Sequence, residues 1–311
     1  MSVPAAYIGV IIIWSTTPLA IQWSSVGAGF LFAVLGRMVI GMLVCLLLVV
    51  VFRGRLPWHR AARNTYLAAT LGIFGTMLCI YWGAQFIPSG LISVVYGLMP
   101  VLTGIIAAPL LAERSFTMGR VTAMLLGVTG LAVIFGSSVT LGEHAAYGIG
   151  AVLVGVTLHA LGTVLIKRID ASVSALEVTT GALMLAVPLF LATWLIFDGT
   201  LPADVPLRAA ASIVYLGVFG SVIGFVLYFY VLRRISAGGT ALITLIAPVS
   251  ALWIGHGFNN EPLTRDIVVG TSLILTALVS YHWGDRWFGR VFGADSSEPG
   301  GFDRTDRQRD G

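Results

Sequence analysis

The chain has 311 residues, 57% of them hydrophobic and 10% charged, with a net charge of +4 and a mean hydropathy of +0.94. Soluble domains are about 45–50% apolar and about 25% charged, so this composition excludes an ordinary soluble enzyme, a disordered protein and a nucleic-acid binder. So many apolar residues cannot all hide in one water-facing core, and they predict a multispanning membrane protein.

Taken in chain order, ten apolar runs come near the roughly 20 residues that cross about 30 Å of hydrocarbon. They lie at 5–22, 30–52, 66–86, 91–111, 121–137, 148–166, 176–197, 209–231, 239–258 and 267–283. None alternates like a barrel strand, so all ten are expected to be transmembrane helices. The first run has no basic leader and is read as span 1 rather than as a signal peptide. Trp23, Trp58, Trp283 and Trp287 lie near span ends and read as interfacial anchors.

Of the 18 Lys and Arg residues, Arg53, Arg55, Arg60 and Arg63 follow span 2, and Arg114 and Arg120 follow span 4. Lys167 and Arg168 follow span 6, Arg233 and Arg234 follow span 8, and Arg286, Arg290, Arg304, Arg307 and Arg309 lie in the tail. Only Arg208 and Arg265 fall on the opposite side, and Arg37 lies inside span 2. The positive-inside rule therefore places both termini in the cytoplasm of a bacterial-type inner membrane. Residues 286–311 are polar and Gly-rich and read as a disordered cytoplasmic tail. Cys45 and Cys79 fall within spans, and the five histidines are scattered, so neither a disulfide framework nor a metal site is expected. There is no glycine-rich phosphate cradle, so direct drive by ATP is not expected.

The chain repeats itself. LGIFGT at 71–76 matches LGVFGS at 216–221, and at the same offset Gly36 meets Gly181, Phe52 meets Phe197 and Ile21 meets Ile166. After a short insertion near 231–233, Pro100 meets Pro248, Glu113 meets Glu261, and IPSG at 87–90 meets ISAG at 235–238. The domains are thus 5–140 and 148–285, with five spans each. An odd span number makes the second half enter the membrane from the other face, the inverted repeat of transporters. The expected fold is all-α and integral to the membrane, with ten helices in two inverted five-helix repeats. Glu113 and Glu261 then mark equivalent helix ends on opposite faces.

On Trp14, on Arg37, and on the Pro100-to-Glu113 stretch (PVLTGIIAAPLLAER) with its echo from Pro248 to Glu261 (PVSALWIGHGFNNE), the sequence resembles the drug/metabolite transporter superfamily. The resemblance is to the branch built from two EamA domains, covers nearly all of 5–285, and is greatest to the YddG-type amino-acid exporters. It implies ten helices, cytoplasmic termini, and a central cavity lined by spans 1, 3, 4, 6, 8 and 9.

Several residues are candidates for that cavity. Trp14 and Thr17 share a face of span 1, and His159, the repeat partner of Trp14, sits with Thr163 on span 6, where an in-plane axis would bring the two positions together. Buried imidazole and hydroxyl groups at membrane depth need partners, and a zwitterionic solute is one. Span 3 offers Tyr81, Trp82 and Gln85; span 4 offers Tyr96, Met99 and Thr103 as one stripe; spans 8 and 9 offer Tyr228 and Thr244. An aromatic wall suits solutes with an apolar side chain and a charged backbone. Pro100 and Pro248 fall mid-span at repeat-related positions and are read as kinks or gating points. Glycines 72, 75, 217, 220 and 224 are read as close-packing positions. Arg37 is the one ionised side chain well inside the hydrocarbon. It is read as structural, snorkelling or capping carbonyls, with a substrate carboxylate as the other reading.

No Asp or Glu falls mid-span, which argues against a cationic-drug/proton antiporter and for neutral or zwitterionic cargo. The expected function is export of aromatic or other neutral amino acids by alternating access, and the alternative is another neutral metabolite or drug-like solute. An intramembrane enzyme is disfavoured, because no HExxH, GxSxG or paired aspartates occur within spans. The expected partners are one small solute and the lipid bilayer, with no cofactor, metal or nucleic acid; a monomer is compatible with this reading.

Overall fold

The computed structural model describes residues 2–111, 118–136, 142–224, 227, 231 and 237–291, and among these every regular element is helical. The first half comprises α1 (Val3–Ser25), α2 (Phe30–Val51), α3 (Arg60–Thr70), α4 (Thr76–Gly83), α5 (Ser89–Tyr96), α6 (Met99–Leu111) and α7 (Met118–Gly136). The second half comprises α8 (Ala145–Ile169), α9 (Ala175–Phe197), α10 (Leu207–Tyr215), α11 (Ala237–Asn259) and α12 (Arg265–Val291). Two π-helical segments continue helices without a break: π1 (Leu71–Gly75) joins α3 to α4, and π2 (Leu216–Ile223) extends α10. Among the described residues, each of the ten apolar runs is mainly helical. Seven helical spans are long and apolar enough to cross a membrane, and the described apolar parts of spans 5 and 8 are shorter, Val121–Ile134 and Leu207–Ile223.

Local chemistry sets the ends. Ser174 and Glu177 form a capping box at the start of α9, with Glu177 N–H to Ser174 Oγ at 3.3 Å and Ser174 N–H to Glu177 Oε2 at 2.7 Å. Asp170 closes α8 in the left-handed region at φ +47°. The last helix runs to Val291, so the segment 286–311 begins in helix and not in disordered chain. Residues 292–311 lie outside the described residues, as do Glu113, Arg114, Arg233, Arg234 and the side chain of Trp287.

The helix partners obey a two-fold exchange of the halves. α7 packs on α12, α2 on α9 and α5 on α11, pairing each span with its repeat equivalent. Several other contacts come in matched pairs. α1 packs on α10–π2 as α8 packs on α3–π1–α4, and α1 packs on α11 as α8 packs on α5 and α6. α2 packs on π2 and α10 as α9 packs on α3 and π1. Both LGxFG motifs become π-helix, so the repeat extends to an uncommon backbone feature that shifts which side chains face each neighbour.

The break between α5 and α6 differs from expectation. Gly97 N–H donates to both Ser93 and Val94 carbonyls at 3.0 Å, Leu98 turns, and the helix restarts at Met99. Pro100 is therefore the second residue of a new helix and not a mid-helix kink, whereas Pro248 lies inside the continuous α11. Three further prolines, Pro18, Pro109 and Pro188, also lie inside helices.

The α7–α12 contact depends on two glycines. A Cβ at Gly130 would stand 2.8 Å from the Gly270 carbonyl oxygen, and one at Gly270 would stand 2.5 Å from Ile134 Cγ1. Backbone meets backbone here, where van der Waals packing drives helix association in lipid. Gly130→Val is expected to destabilise by about 1–3 kcal/mol through overpacking, read as a lower unfolding temperature of the purified protein in detergent. An unchanged unfolding temperature would show that the contact is looser than described.

Candidate functional site

Spans 1, 4, 6 and 8 supply the polar side chains nearest the centre. Tyr96 is the last residue of α5, and its hydroxyl hydrogen-bonds to His159 Nδ1 on α8, with ring centroids 5.7 Å apart and nearly edge-on. The imidazole tautomer decides which atom donates. Trp14 on α1 packs with Tyr7, Ile11 and Leu227 around buried Val10, Val231 and Ile243. Its indole nitrogen would be 3.4 Å from a Cβ at Gly224. Thr17, one turn on, donates to the Ile13 carbonyl at 2.6 Å, and its oxygen would be 3.7 Å from a Cβ at Gly220. Gly220 and Gly224 leave a shelf of bare backbone along π2 and its end, against which Thr17 and Trp14 pack at contact distance.

Arg37 reaches this shelf from α2. It is 4% exposed, its Nε donates to Ser221 Oγ on π2 at 3.1 Å, and its Nη1 has no hydrogen-bond partner among the described residues. The guanidinium therefore does not snorkel to the surface, which corrects that part of the structural reading of Arg37. A Cβ at Gly220 would stand 3.5 Å from Arg37 Nη2 and 3.7 Å from Thr17 Oγ1, so Arg37–Ser221 and the Trp14–Thr17 face meet on π2. α1 and α8 have α5 as a shared neighbour, and His159 pairs with Tyr96 of that helix.

A second polar network ties the bundle at the end where α1 and α11 finish. Glu261, 7% exposed, accepts from Gly90 N–H and from Asn259 Nδ2, both at 3.1 Å. Asn259 Nδ2 also donates to Gln22 Oε1 at 3.1 Å, and its Oδ1 accepts from Trp23 Nε1 at 3.2 Å. Gln22 Nε2 donates to the Ala84 and Ile87 carbonyls at 3.2 and 2.7 Å. Arg208 stacks over the Trp23 ring at 3.6 Å. This latch joins the ends of spans 1 and 9 to the turn between spans 3 and 4.

With this geometry in view, the chain can be set beside known proteins. The model of the EamA-like transporter family matches residues 3–136 and again 146–281. The chain belongs to the EamA-like transporter family. It is 30% identical over 212 residues to an uncharacterized transporter of Archaeoglobus fulgidus, covering 67% of this transporter and 74% of that one. It is 31% identical over 209 residues to a probable terminal-alkyne amino-acid exporter of Streptantibioticus cattleyicolor, covering 65% and 68%. It is 26% identical over 240 residues to the uncharacterized transporter YoaV of Bacillus subtilis, covering 76% and 82%. One crystal structure superposes with a TM-score of 0.64 over 92% of this chain and 98% of that one, at 21% identity, a likeness of fold alone.

The transporter fold places the other sequence candidates less uniformly. Tyr81 is fully buried in the main core, and its hydroxyl has no partner. Trp82 is 39% exposed and packs edge-on to Phe86, away from the core. Gln85 lies in the turn after α4 and donates to the Trp82 carbonyl at 3.3 Å. α4 stops at Gly83, so the helical spacing of Tyr81 and Gln85 does not hold. Tyr96, Met99 and Thr103 are not one stripe, because the turn at Gly97–Leu98 intervenes; Met99 packs against the core and Thr103 donates to the Met99 carbonyl at 2.7 Å. Thr163 is exposed and donates to the His159 carbonyl at 2.9 Å. Tyr228 and the side chain of Thr244 lie outside the described residues. Pro248 lies inside α11 and has no N–H to give to the Thr244 carbonyl, which is left without its usual helical donor.

The sequence reading missed Ser221, the latch residues Gln22, Asn259 and Gly90, and the hydroxyl pair of Thr16 and Tyr215 at 2.7 Å. A usable signal was present for Ser221, since it is the last residue of the LGVFGS repeat motif.

The Tyr96–His159 bond is testable apart from transport. Tyr96→Phe and His159→Ala are each expected to destabilise the folded protein by about 1–3 kcal/mol, the cost of leaving a buried partner unsatisfied. The double variant should lose less than the sum. Strictly additive unfolding temperatures would show that the two groups are not coupled.

Proposed function

We propose that this transporter exports neutral or zwitterionic solutes, aromatic or other neutral amino acids above all, by alternating access through the site around Tyr96 and His159. The observation that carries the reading is the make-up of that site: an indole, a phenol–imidazole pair and hydroxyls, in a chain with no Asp or Glu mid-span. Without a carboxylate, cationic cargo has no counter-charge there. An apolar side chain finds aromatic surface, and a charged backbone finds hydrogen-bonding groups. The printed name of the Streptantibioticus relative supports an amino-acid cargo. The site and the latch lie on inverted halves, as a rocking mechanism requires.

With 15 of 18 basic residues assigned to one face, both termini are cytoplasmic in an inner membrane, and the Glu261 latch lies at the outer end. Opening to the outside then requires Asn259 and Glu261 to release Gln22 and Gly90. Without an intramembrane carboxylate, no proton relay is evident, and facilitated diffusion accounts for the cycle.

The test is flux in proteoliposomes over the twenty amino acids, with and without a pH gradient. Uptake of at least one neutral amino acid is expected, unchanged by the gradient. Trp14→Ala and Tyr96→Ala are each expected to lower it about fivefold or more in folded protein. Flux of nucleosides or uncharged drugs with none of any amino acid would replace the cargo, and wild-type rates in both variants would remove the site. The latch has its own readout. Asn259→Ala is expected to raise the reactivity of a cysteine placed at Thr17 towards an impermeant thiol reagent added outside; unchanged reactivity would show that the latch does not gate.

A further inference from the structure

Arg37 is the least explained group in the molecule. A charged side chain at membrane depth is costly and is ordinarily paired with an acid or with carbonyls. Arg37 is 4% exposed and donates through Nε to a neutral hydroxyl, Ser221, while Nη1 meets no acceptor among the described residues. No acid falls mid-span in the sequence to serve as counter-ion. The fold does not require a cation at this point, because the repeat equivalent of Arg37, at the offset that aligns Gly36 with Gly181, is Ala182, fully buried in the second half. Arg37 is thus an asymmetric addition to a symmetric framework. It is placed where the opposing backbone has no side chains. A Cβ at Gly220 would stand 3.5 Å from Arg37 Nη2 and 3.7 Å from Thr17 Oγ1, and one at Gly224 would stand 3.4 Å from the Trp14 indole nitrogen, so all three side chains meet one strip of bare backbone.

From this geometry we infer that Arg37 is the receptor for the carboxylate of the transported solute. The inference rests on the amino-acid reading above and adds how the cargo is held. A guanidinium offers a fork of N–H donors that matches a carboxylate, and a charge-assisted bond of this kind is about twice as strong as a neutral one. Ser221 fixes Nε and leaves the Nη edge for the ligand. The carboxylate supplies the missing counter-charge, so the charged pair is complete only when the site is loaded. The solute's apolar side chain then lies towards Trp14 and Tyr96.

The experiment is counterflow of a labelled neutral amino acid in proteoliposomes, with the unlabelled acid and its carboxamide as competitors. Wild-type protein is expected to bind the acid roughly tenfold better than the amide. In Arg37→Gln the ratio should fall to about twofold or below, through weaker binding of the acid and not of the amide. Arg37→Lys, which keeps the charge without the fork, serves if the glutamine variant does not fold. It should lose several-fold affinity for the acid and none for the amide. Equal competition in wild-type protein, or a wild-type ratio in the glutamine variant, overturns the assignment. So does unchanged affinity of the lysine variant for both competitors. If no amino acid moves in wild-type protein, the cargo reading fails and the assignment falls with it. If amino acids move and the ratio ignores Arg37, only the assignment fails.

Discussion

In hydrocarbon every backbone and side-chain polar group must find its partner within the protein, because there is no water to offer one. That constraint makes each span a helix, and it also disposes of most hydroxyls. Thr16, Thr17, Thr65, Thr103, Thr157, Thr163, Thr179 and Thr180 each donate to the carbonyl four residues earlier. A threonine on a transmembrane helix is therefore already satisfied locally, and its presence says little about a cavity. The informative groups are those that reach across helices, such as Thr76 to the Gly155 carbonyl and Tyr96 to His159, and those left unanswered, such as Arg37 Nη1 and the Tyr81 hydroxyl.

The same constraint explains why the two halves match where they do. Helices in lipid associate through close packing and not through exclusion of water, so small residues recur at contacts. Gly162 illustrates the distance involved, since a Cβ there would stand 2.9 Å from the Ala68 carbonyl and 3.1 Å from the Gly72 Cα. Gly72 belongs to π1 and Gly217 to π2, and the second lies against Arg37 and Ile40 of α2. The repeated motif thus fixes a backbone approach on both sides of the axis. Chemistry then departs from the symmetry at a few positions: Arg37 against Ala182, Ser221 against Thr76, and Trp14 against His159.

Much of the fold was legible because its causes are written along the chain. Span length and hydropathy gave ten helical runs, and the in-register motifs gave the repeat. The candidate site was legible only in its anchors. Gly97 and Pro100 were both visible, yet their joint effect, a turn that separates Tyr96 from Met99, depends on backbone geometry that a periodic reading of span 4 overlooks. Gln85 was assigned to the wrong environment because helix ends are the least determinate feature of an apolar run, and α4 stops at Gly83. The latch was not legible at all. Gln22, Asn259 and Gly90 are far apart in sequence, and nothing local in any of them announces the other two.

On the proposed reading, a buried cation with no counter-ion among the described residues also bears on which solutes the site excludes. Two like charges 4 Å apart repel by about 4 kcal/mol at an effective dielectric of about 20. With Arg37 assigned to the site as proposed above, a cationic solute approaches a fixed positive charge as it arrives. The absence of acids mid-span removes attraction for cations, and Arg37 adds repulsion, so both routes to specificity act against them. The low charge content of the chain and its single intramembrane arginine therefore act in the same direction.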